Sequence, residues 1–346
     1  WRAQAFKIID GEKIRKSFTA STRSEAELLA VAWVARAQEK IDLPTVGEIL
    51  DAYISHREAI LSPSTIRGYI LLADKIKARI GRVVASDMTS EKVQAYINEL
   101  ALDHSPKTVK NYANLLIPAL NSVMPDVKFN VRFPHKTPPT YSIPESETIT
   151  ELINRAKGDL KLAILLGAIG GLRRGEICAL KYEDVMRDFN AVYVHADMVR
   201  DKENKWVYKN IPKTSASIRR VELPKEIIDL IPDGEPTAYI VPRTPNYITD
   251  RFCELRNSLG LNCRFHDLRH YSASLCHAIG IPDQYIQERH GWRTDQILKA
   301  VYRNTLTEKA NTFTKKANKE FSCEGCPNAA LCNKETCETE AKEENK

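Results

Sequence analysis

The spacing of hydrophobic and polar positions changes twice along the chain, and the first region has the spacing of strands. Residues 4–9 and 14–18 flank the turn DGEK and predict a β-hairpin. A helix is predicted next, because Ser24 and Glu27 form an S-x-x-E capping box ahead of LLAVAWVARAQEK. Residues 1–44 are therefore expected to form a strand-strand-helix unit.

The second region, residues 45–125, has the spacing of helices. Its apolar residues recur every three or four positions, as in Ile66, Tyr69, Ile70 and Ala73. Ser-Pro pairs at 62–63 and 105–106 mark helix starts, since proline is tolerated in the first turn. This region is predicted to be an all-helical domain.

Residues 126–143 contain three prolines and little periodicity, which predicts an extended linker. A large domain is expected over residues 144–320, beginning and ending with helices and passing through strands. The predicted strand segments are AVYVHADMV, KWVYK and RRVEL. Residues 321–346 form a polar tail that contains four cysteines. The expected fold class is multidomain and mainly α-helical, with small β-sheets.

The charge of the chain favours a polyanionic partner. The formal net charge is +6, although residues 323–346 alone carry six acidic and three basic side chains, so the remainder is more basic still. Such an excess suits DNA. The bases expected to follow a phosphate backbone are Lys75, Lys77, Arg79, Lys107 and Lys110.

No apolar run approaches the roughly 18 to 20 residues of a membrane span, and no signal-like segment opens the chain. We therefore expect no membrane partner and a cytoplasmic location. Because Trp1 already stands inside a predicted strand, the native start is expected to lie upstream. Four cysteines are predicted to be reduced, buried thiols, namely Cys178, Cys253, Cys263 and Cys276.

The segment GLRRGEICAL, residues 171–180, places a cation at the end of an apolar helix. Burial of Arg173 there is costly unless an anion pairs with it. Glu176 lies three residues later, on the same helical face. The pair fits either a purely structural role or a site that binds an anion.

Two further segments carry basic side chains. Lys213 precedes the turn TSAS between two predicted strands, as at the tip of a hairpin. In HDLRH, His266 and Arg269 share a helical face, where a guanidinium matches phosphate oxygens and an imidazole exchanges a proton near neutral pH. A zinc site is disfavoured because no third ligand has a suitable spacing. The alternative to a phosphate-binding role for HDLRH is that it is an exposed polar helix start.

The fourth segment is ERHGWRTDQILKAVYRNTL, residues 288–306. Gly291 is predicted to end one helix, and a second helix carries Tyr302 in a polar-flanked position. A tyrosine on an amphipathic helix is usually part of a core. Here the neighbouring Ala300 and Val301 are the better core candidates.

These four segments, in this order, resemble the tyrosine recombinases, specifically the phage and mobile-element integrases. The resemblance implies a mixed α/β catalytic domain over residues 144–320 and a helical core-binding domain over 45–125. It also implies that residues 1–44 form an arm-type DNA-binding domain.

The resemblance also implies roles for individual residues. Arg173 and Arg269 would clamp the scissile phosphate, Lys213 would be the general acid, and Tyr302 the nucleophile. His266 would manage the proton of that nucleophile, and Glu176 would support the site. Trp292 would donate a hydrogen bond to phosphate, although it lies ten residues before the tyrosine where nine is usual. His290 is the alternative for this role.

The implied reaction joins DNA strands through a 3′-phosphotyrosine, in a homo-tetramer on double-stranded attachment sites of a bacterial host. Accessory DNA-bending or directionality proteins are the other implied partners. No cofactor is expected for catalysis, since the chain lacks a Gly-rich phosphate loop and a carboxylate cluster for magnesium. The alternatives are a type IB topoisomerase and a non-catalytic DNA-binding protein on the same scaffold.

The cysteines of the tail have the spacing of a four-thiolate zinc knuckle. They are Cys323, Cys326, Cys332 and Cys337. A structural zinc ion is one interpretation of this spacing, and redox-labile thiols are the other.

Overall fold

The computed structural model describes residues 1–9, 12–38, 43–135, 143–210, 217–293 and 315. The chain divides into two compact units. The first comprises Trp1–Leu61 and Thr65–Lys136, and the second comprises Ser62–Ser64 and Thr137–Lys346.

The first unit opens with the predicted hairpin and helix. Strands β1 (Arg2–Ile9) and β2 (Glu12–Thr19) pair antiparallel, and helix α1 (Arg23–Gln38) follows. The predicted capping box at Ser24 is wrong, because the Glu25 amide donates to Thr22 Oγ1 at 3.3 Å and Ser24 lies inside the helix. Thr22-x-x-Glu25 has the same spacing as the predicted box and stands two residues closer to the hairpin.

Four further helices of this unit agree with the predicted helical region. They are α2 (Val46–Ser55), α3 (Pro63–Ile80), α4 (Ser90–Asp103) and α5 (Pro106–Val123). Hydroxyl side chains cap three of them, because Thr45, Thr89 and Ser105 each accept a hydrogen bond from the amide three residues later. Helix α2 ends at Ser55, where the amide of the C-cap residue His56 donates to Ala52 O and Ile54 O.

The core of these four helices is built from apolar side chains of all of them. Fully buried members include Leu50, Ile76, Ile97, Leu115, Leu116 and Leu120. Burial of such faces supplies most of the stability of amphipathic helices.

The described part of the predicted linker is extended but bound to α4. The Asn130 amide donates to Ser90 Oγ at 3.2 Å, and the Arg132 amide donates to Gln94 Oε1 at 2.6 Å. Phe129 also packs against the helical core. These residues therefore continue the first unit, while residues 136–142 lie outside the described part.

The second unit is mixed α/β. Its helices are α6 (Ser146–Arg155), α7 (Gly158–Ala168), α8 (Arg174–Ala179), α9 (Lys225–Asp229), α10 (Pro245–Ser258), α11 (Asp267–Ala278) and α12 (Asp283–His290). Its strands are β3 (Val185–Met186), β4 (Ala191–Val194), β5 (Asp197–Arg200), β6 (Trp206–Lys209) and β7 (Arg219–Glu222). Helix α7 is the apolar segment that packs against α8, α10 and α11.

The strands form two separate sheets, which corrects one prediction. The predicted strand AVYVHADMV is split, because β4 belongs to the sheet β3-β4-β7 whereas β5 pairs with β6 in a separate sheet. At the break, His195 contacts Asp184 Oδ1 at 2.8 Å and Asn210 Oδ1 at 2.9 Å. Strands β6 and β7 therefore do not pair with each other, and the predicted hairpin around Lys213 is wrong.

Within the part of the chain that the structure describes, every helix is too short or too polar to traverse a bilayer.

Candidate functional site

The first element of the site is the start of helix α8. Arg173 precedes the helix, and its amide donates to Glu176 Oε2 at 2.7 Å. Its guanidinium donates to Glu176 Oε1 at 2.5 Å and to Gly291 O at 3.3 Å. One third of the Arg173 side chain remains exposed, so its guanidinium is held by a carboxylate and still faces solvent.

Gly171 allows the α8 and α12 segments to approach closely. Its φ of +66° lies in the left-handed region. A Cβ atom at this position would stand 2.5 Å from His290 Nε2. The glycine of GLRRGE is therefore required by both its backbone conformation and the imidazole beside it.

Arg269, on helix α11, is 1% exposed. Its guanidinium donates to Gly171 O at 2.5 Å and to His290 O, and it lies 3.8 Å from Glu176 Oε2. Burial, followed by the like charge of Arg173, lowers the pKa of Arg269, whereas Glu176 opposes that shift. The two carbonyls and the carboxylate offset the cost of burying this charge.

Glu176 is the anion on which the cations converge, and it is 3% exposed. Burial alone would raise its pKa, but the charge and hydrogen bonds of Arg219, then the charges of Arg173 and Arg269, lower the pKa to about 2. Arg219 was not predicted as a site residue. It donates to both carboxylate oxygens, at 3.2 Å and 2.9 Å.

The strand that carries Arg219 contains a signal that sequence analysis passed over. In β7 the burial alternates, with Arg219 and Val221 inward and Arg220 and Glu222 outward. The alternation of RRVE places an arginine on the same face as a valine. An inward arginine on a half-buried strand requires a buried anion.

His266 immediately precedes helix α11. Loss of hydration, followed by the charges of Arg269 and Arg173, lowers the pKa of His266 below its usual value. Its ring contacts that of His270 edge-on, with centroids 4.9 Å apart. The lowered pKa favours a neutral imidazole at physiological pH, which is able to accept a proton.

Trp292 and His290, the two candidates for one role, both lie beside Arg269. The Trp292 ring stacks on His290 with centroids 4.9 Å apart, and the Arg269 guanidinium lies 5.3 Å from the Trp292 ring centroid. Burial lowers the pKa of His290, and its Nδ1 contacts Ile286 O at 2.8 Å. Its Nε2 has no hydrogen-bond partner among the described residues.

A cavity of about 560 Å³ opens beside these groups. Its charged lining comprises Arg173, Arg174, Asp197, Arg256, Arg264 and His266. Four guanidinium groups against one carboxylate suit an anionic ligand. Burial, then the charge of Glu176, raises the pKa of Asp197 to about 6.

The structure thus brings together Arg173, Glu176, His266, Arg269 and Trp292 of the predicted set. Lys213 and Tyr302 lie outside the described residues, as do the tail cysteines Cys323, Cys326, Cys332 and Cys337. Among the residues that are described, no three His, Cys, Asp or Glu side chains are placed to hold a metal ion.

The sequence of this chain is similar to those of known recombination proteins. Residues 144–309 match the model of the phage integrase family. The chain is 24% identical to a "Tyrosine recombinase XerC-like" protein of Caldanaerobacter subterraneus subsp. tengcongensis, over 90% of this chain and 93% of that protein.

Two solved structures show a similar fold. The Tn1549 transposon integrase in complex with transposon right end DNA is 17% identical with a TM-score of 0.62, over 79% of this chain and 99% of that one. A lambda integrase tetramer bound to a Holliday junction is 18% identical with a TM-score of 0.58, over 84% of this chain and 96% of that one.

Proposed function

We propose that the chain is a tyrosine recombinase of the phage integrase family, an enzyme of site-specific DNA recombination. It cuts and rejoins strands of double-stranded attachment sites through a 3′-phosphotyrosine, to integrate or excise a mobile element in a bacterial host. The observation that carries this proposal is that Arg173 and His266 line one cavity, while the charge of the buried Arg269 lies close enough to lower the pKa of His266.

Binding of the scissile phosphate is the task of the two arginines. A phosphodiester repels nucleophiles through its negative charge, and guanidinium groups neutralise that charge and stabilise the oxygens of the transition state. Arg173 already faces the cavity. Arg269 is buried against two carbonyls, so we propose that it exchanges one of them for a phosphate oxygen when DNA binds.

The chemical step forms one bond and breaks one. The Tyr302 hydroxyl oxygen attacks phosphorus while its proton passes to the neutral imidazole of His266. The bond from phosphorus to the 5′-oxygen breaks, and the ammonium of Lys213 gives a proton to that oxygen. Trp292, or alternatively His290, supports the phosphate from beside Arg269. A 5′-hydroxyl of the partner strand then reverses the step on the phosphotyrosine.

This sequence of steps conserves the phosphoester bond energy. We therefore propose that strand exchange needs neither ATP nor a metal ion. Recombination measured without nucleotide and in the presence of a chelator is expected to proceed at its usual rate. A requirement for either addition contradicts this part of the proposal.

A nicked suicide substrate tests the assignment of the nucleophile. Loss of the short strand beyond the nick traps the covalent complex, and mass spectrometry of the linked peptide is expected to identify Tyr302. Tyr302→Phe should form no adduct, because phenylalanine has no nucleophilic oxygen. Tyr285→Phe is the matched control, since this tyrosine on α12 is exposed. Adducts that persist in Tyr302→Phe, or plasmid relaxation without partner DNA, contradict the proposal.

We also propose that different regions of the chain bind different DNA sites. Residues 1–44 bind arm-type sites, and residues 45–125 and 144–320 bind the core site. Four copies assemble on two duplexes, and accessory DNA-bending or directionality proteins are further partners. The basic side chains of the first region and the match of residues 144–309 to the phage integrase family support this division. Mass photometry of the full chain on paired sites should give four copies per complex, and a stable two-copy end state would contradict it.

For the tail we propose a structural zinc ion on Cys323, Cys326, Cys332 and Cys337, supported by their spacing. Elemental analysis of the purified chain should give about one zinc per chain. The double variant Cys323→Ser, Cys326→Ser should lose it, whereas Cys178→Ser should keep it. Zinc-free protein with four titratable tail thiols would exclude this interpretation.

A further inference from the structure

The Arg219 guanidinium makes four hydrogen bonds with described residues of the site, whereas the guanidinium groups of Arg173 and Arg269 make two each. Arg219 donates to both oxygens of Glu176. It also donates to Ser217 O at 3.0 Å and to Arg289 O at 2.8 Å. One side chain of β7 thereby joins the start of α8, its own strand and the end of α12.

Stability alone does not account for this arrangement. A buried ion pair is often no more stabilising than well-packed apolar residues of similar volume, because both charges lose hydration. Val221, two residues later on the same face of β7, has the apolar side chain expected there. The use of arginine at residue 219 therefore points to a role in organising charge.

The geometry around Glu176 indicates what that role is. The Arg219 guanidinium contacts both oxygens of the carboxylate, while the Arg173 guanidinium contacts only Oε1 and the Arg269 guanidinium stands 3.8 Å away. Without Arg219, both oxygens would be available to Arg173 and Arg269. A bidentate pair with either would hold that guanidinium on the carboxylate and away from a phosphate ligand.

We propose that Arg219 is a positioning residue, which saturates the Glu176 carboxylate and so leaves Arg173 and Arg269 free to bind the scissile phosphate. This inference rests on the proposed function, in which those two arginines neutralise the phosphate.

The test compares two suicide substrates under single-turnover conditions. One has the natural phosphodiester at the cleavage site. The other has a methylphosphonate there, in which a methyl group replaces a non-bridging oxygen and removes the negative charge. A defect in phosphate neutralisation lowers cleavage of the first substrate selectively, whereas a folding defect lowers cleavage of both.

Arg219→Lys keeps the charge but loses the fork that spans both carboxylate oxygens. Its cleavage of the phosphodiester should fall by about 10- to 100-fold, the order expected when a catalytic group is misplaced by about 1 Å. Its cleavage of the methylphosphonate should stay within about threefold of the wild-type rate on that substrate, since little charge remains to be neutralised. Arg220→Lys, on the outward face of the same strand, should match the wild type on both.

Arg219→Gln is the second variant if Arg219→Lys does not fold. It leaves the Glu176 carboxylate without its bidentate partner and should show the same selective loss. The inference is overturned if the phosphodiester rate of Arg219→Lys is unchanged, or if either variant, once folded, loses both substrates equally. Arg173→Ala separates the two proposals, because its failure to recover on the methylphosphonate would contradict the phosphate clamp itself, whatever Arg219 does.

Discussion

The helices of the first unit and the site of the second unit bury very different side chains. In the described part of the first unit, the buried residues other than glycine are apolar or tyrosine. All ten buried polar or charged residues found in the described chain lie between Glu176 and His290. One region buries the groups that stabilise a fold, and the other buries groups that are costly to remove from water.

This difference shows where a structure is organised for chemistry. A phosphate site needs cations that are already in place before the ligand arrives, because reorganisation during the reaction would raise the barrier. Such cations must be held by carboxylates and carbonyls, as Arg173 and Arg269 are. The two regions should therefore respond differently to substitution.

The largest expected effect is on catalysis, from Arg269→Ala. Loss of a charged donor to the phosphate should lower single-turnover cleavage on the order of 1000-fold. The carbonyls of Gly171 and His290 would also lose their partner, which should destabilise the second unit by about 1 to 3 kcal/mol. Cleavage of the suicide substrate and thermal unfolding measure the two effects, with Arg220→Ala as control. Cleavage within tenfold of wild type would contradict the proposed clamp.

A core substitution in the first unit should reverse this balance. Leu116→Ala, at a side chain that is 1% exposed, should destabilise the helices by roughly 2 to 5 kcal/mol through lost burial and a cavity. Hydrogen exchange of the α5 amides reports this unit by itself. Leu71→Ala, at an exposed position of α3, should change exchange little. An equal loss in both variants would show that the core does not carry the stability.

The pH dependence of stability should identify Glu176. Its pKa of about 2 in the folded chain lies below the usual 4.5, so its contribution is fully present above pH 4.5 and is lost as pH falls towards 2. At pH 4 the stability advantage of wild type over Glu176→Gln should be about 1 kcal/mol smaller than at pH 7. Urea unfolding at both values measures this. A constant gap would show that the carboxylate is not held as described.

The smallest expected effect is on DNA affinity, from Asp197→Asn. Since the pKa of Asp197 is raised to about 6, its charge opposes folding above pH 6, and this penalty disappears as pH falls towards its usual pKa of 3.8. The variant should therefore be more stable at pH 8 by up to about 3 kcal/mol and equally stable near pH 4. It should also bind DNA a few-fold more tightly at low salt, because one negative charge leaves a basic cavity. Weaker DNA binding would indicate that Asp197 supports the cations.

Local sequence patterns were sufficient to predict helices whose start signals and apolar faces lie within one segment. Helices α3 and α5 begin at the predicted Ser-Pro pairs, because the proline of the first turn and the apolar face are encoded within each segment. The capping of α1 was assigned to Ser24 rather than Thr22, since two overlapping motifs of equal spacing compete there. The resemblance also implied site roles for five side chains that the structure brings together, namely Arg173, Glu176, His266, Arg269 and Trp292.

The strand segments were less predictable, because a strand is completed by a partner that its own residues do not specify. Periodicity within AVYVHADMV gave no reason to divide it, whereas the contacts of His195 with Asp184 and Asn210 lie at the change of sheets. Arg219 was missed for the same reason. Its partner Glu176 lies 43 residues away.

The sequence by itself determined the helical unit, the mixed character of the second unit and the order of motifs that resembles the integrases. These depend on local spacing and side-chain chemistry, which the chain carries in any conformation. Only the tertiary structure decided that Arg219 shares Glu176 with Arg173 and Arg269, and that Arg269 is buried against two carbonyls. Such contacts join residues far apart in the chain, and a buried charge is stable only where several elements supply its partners at once.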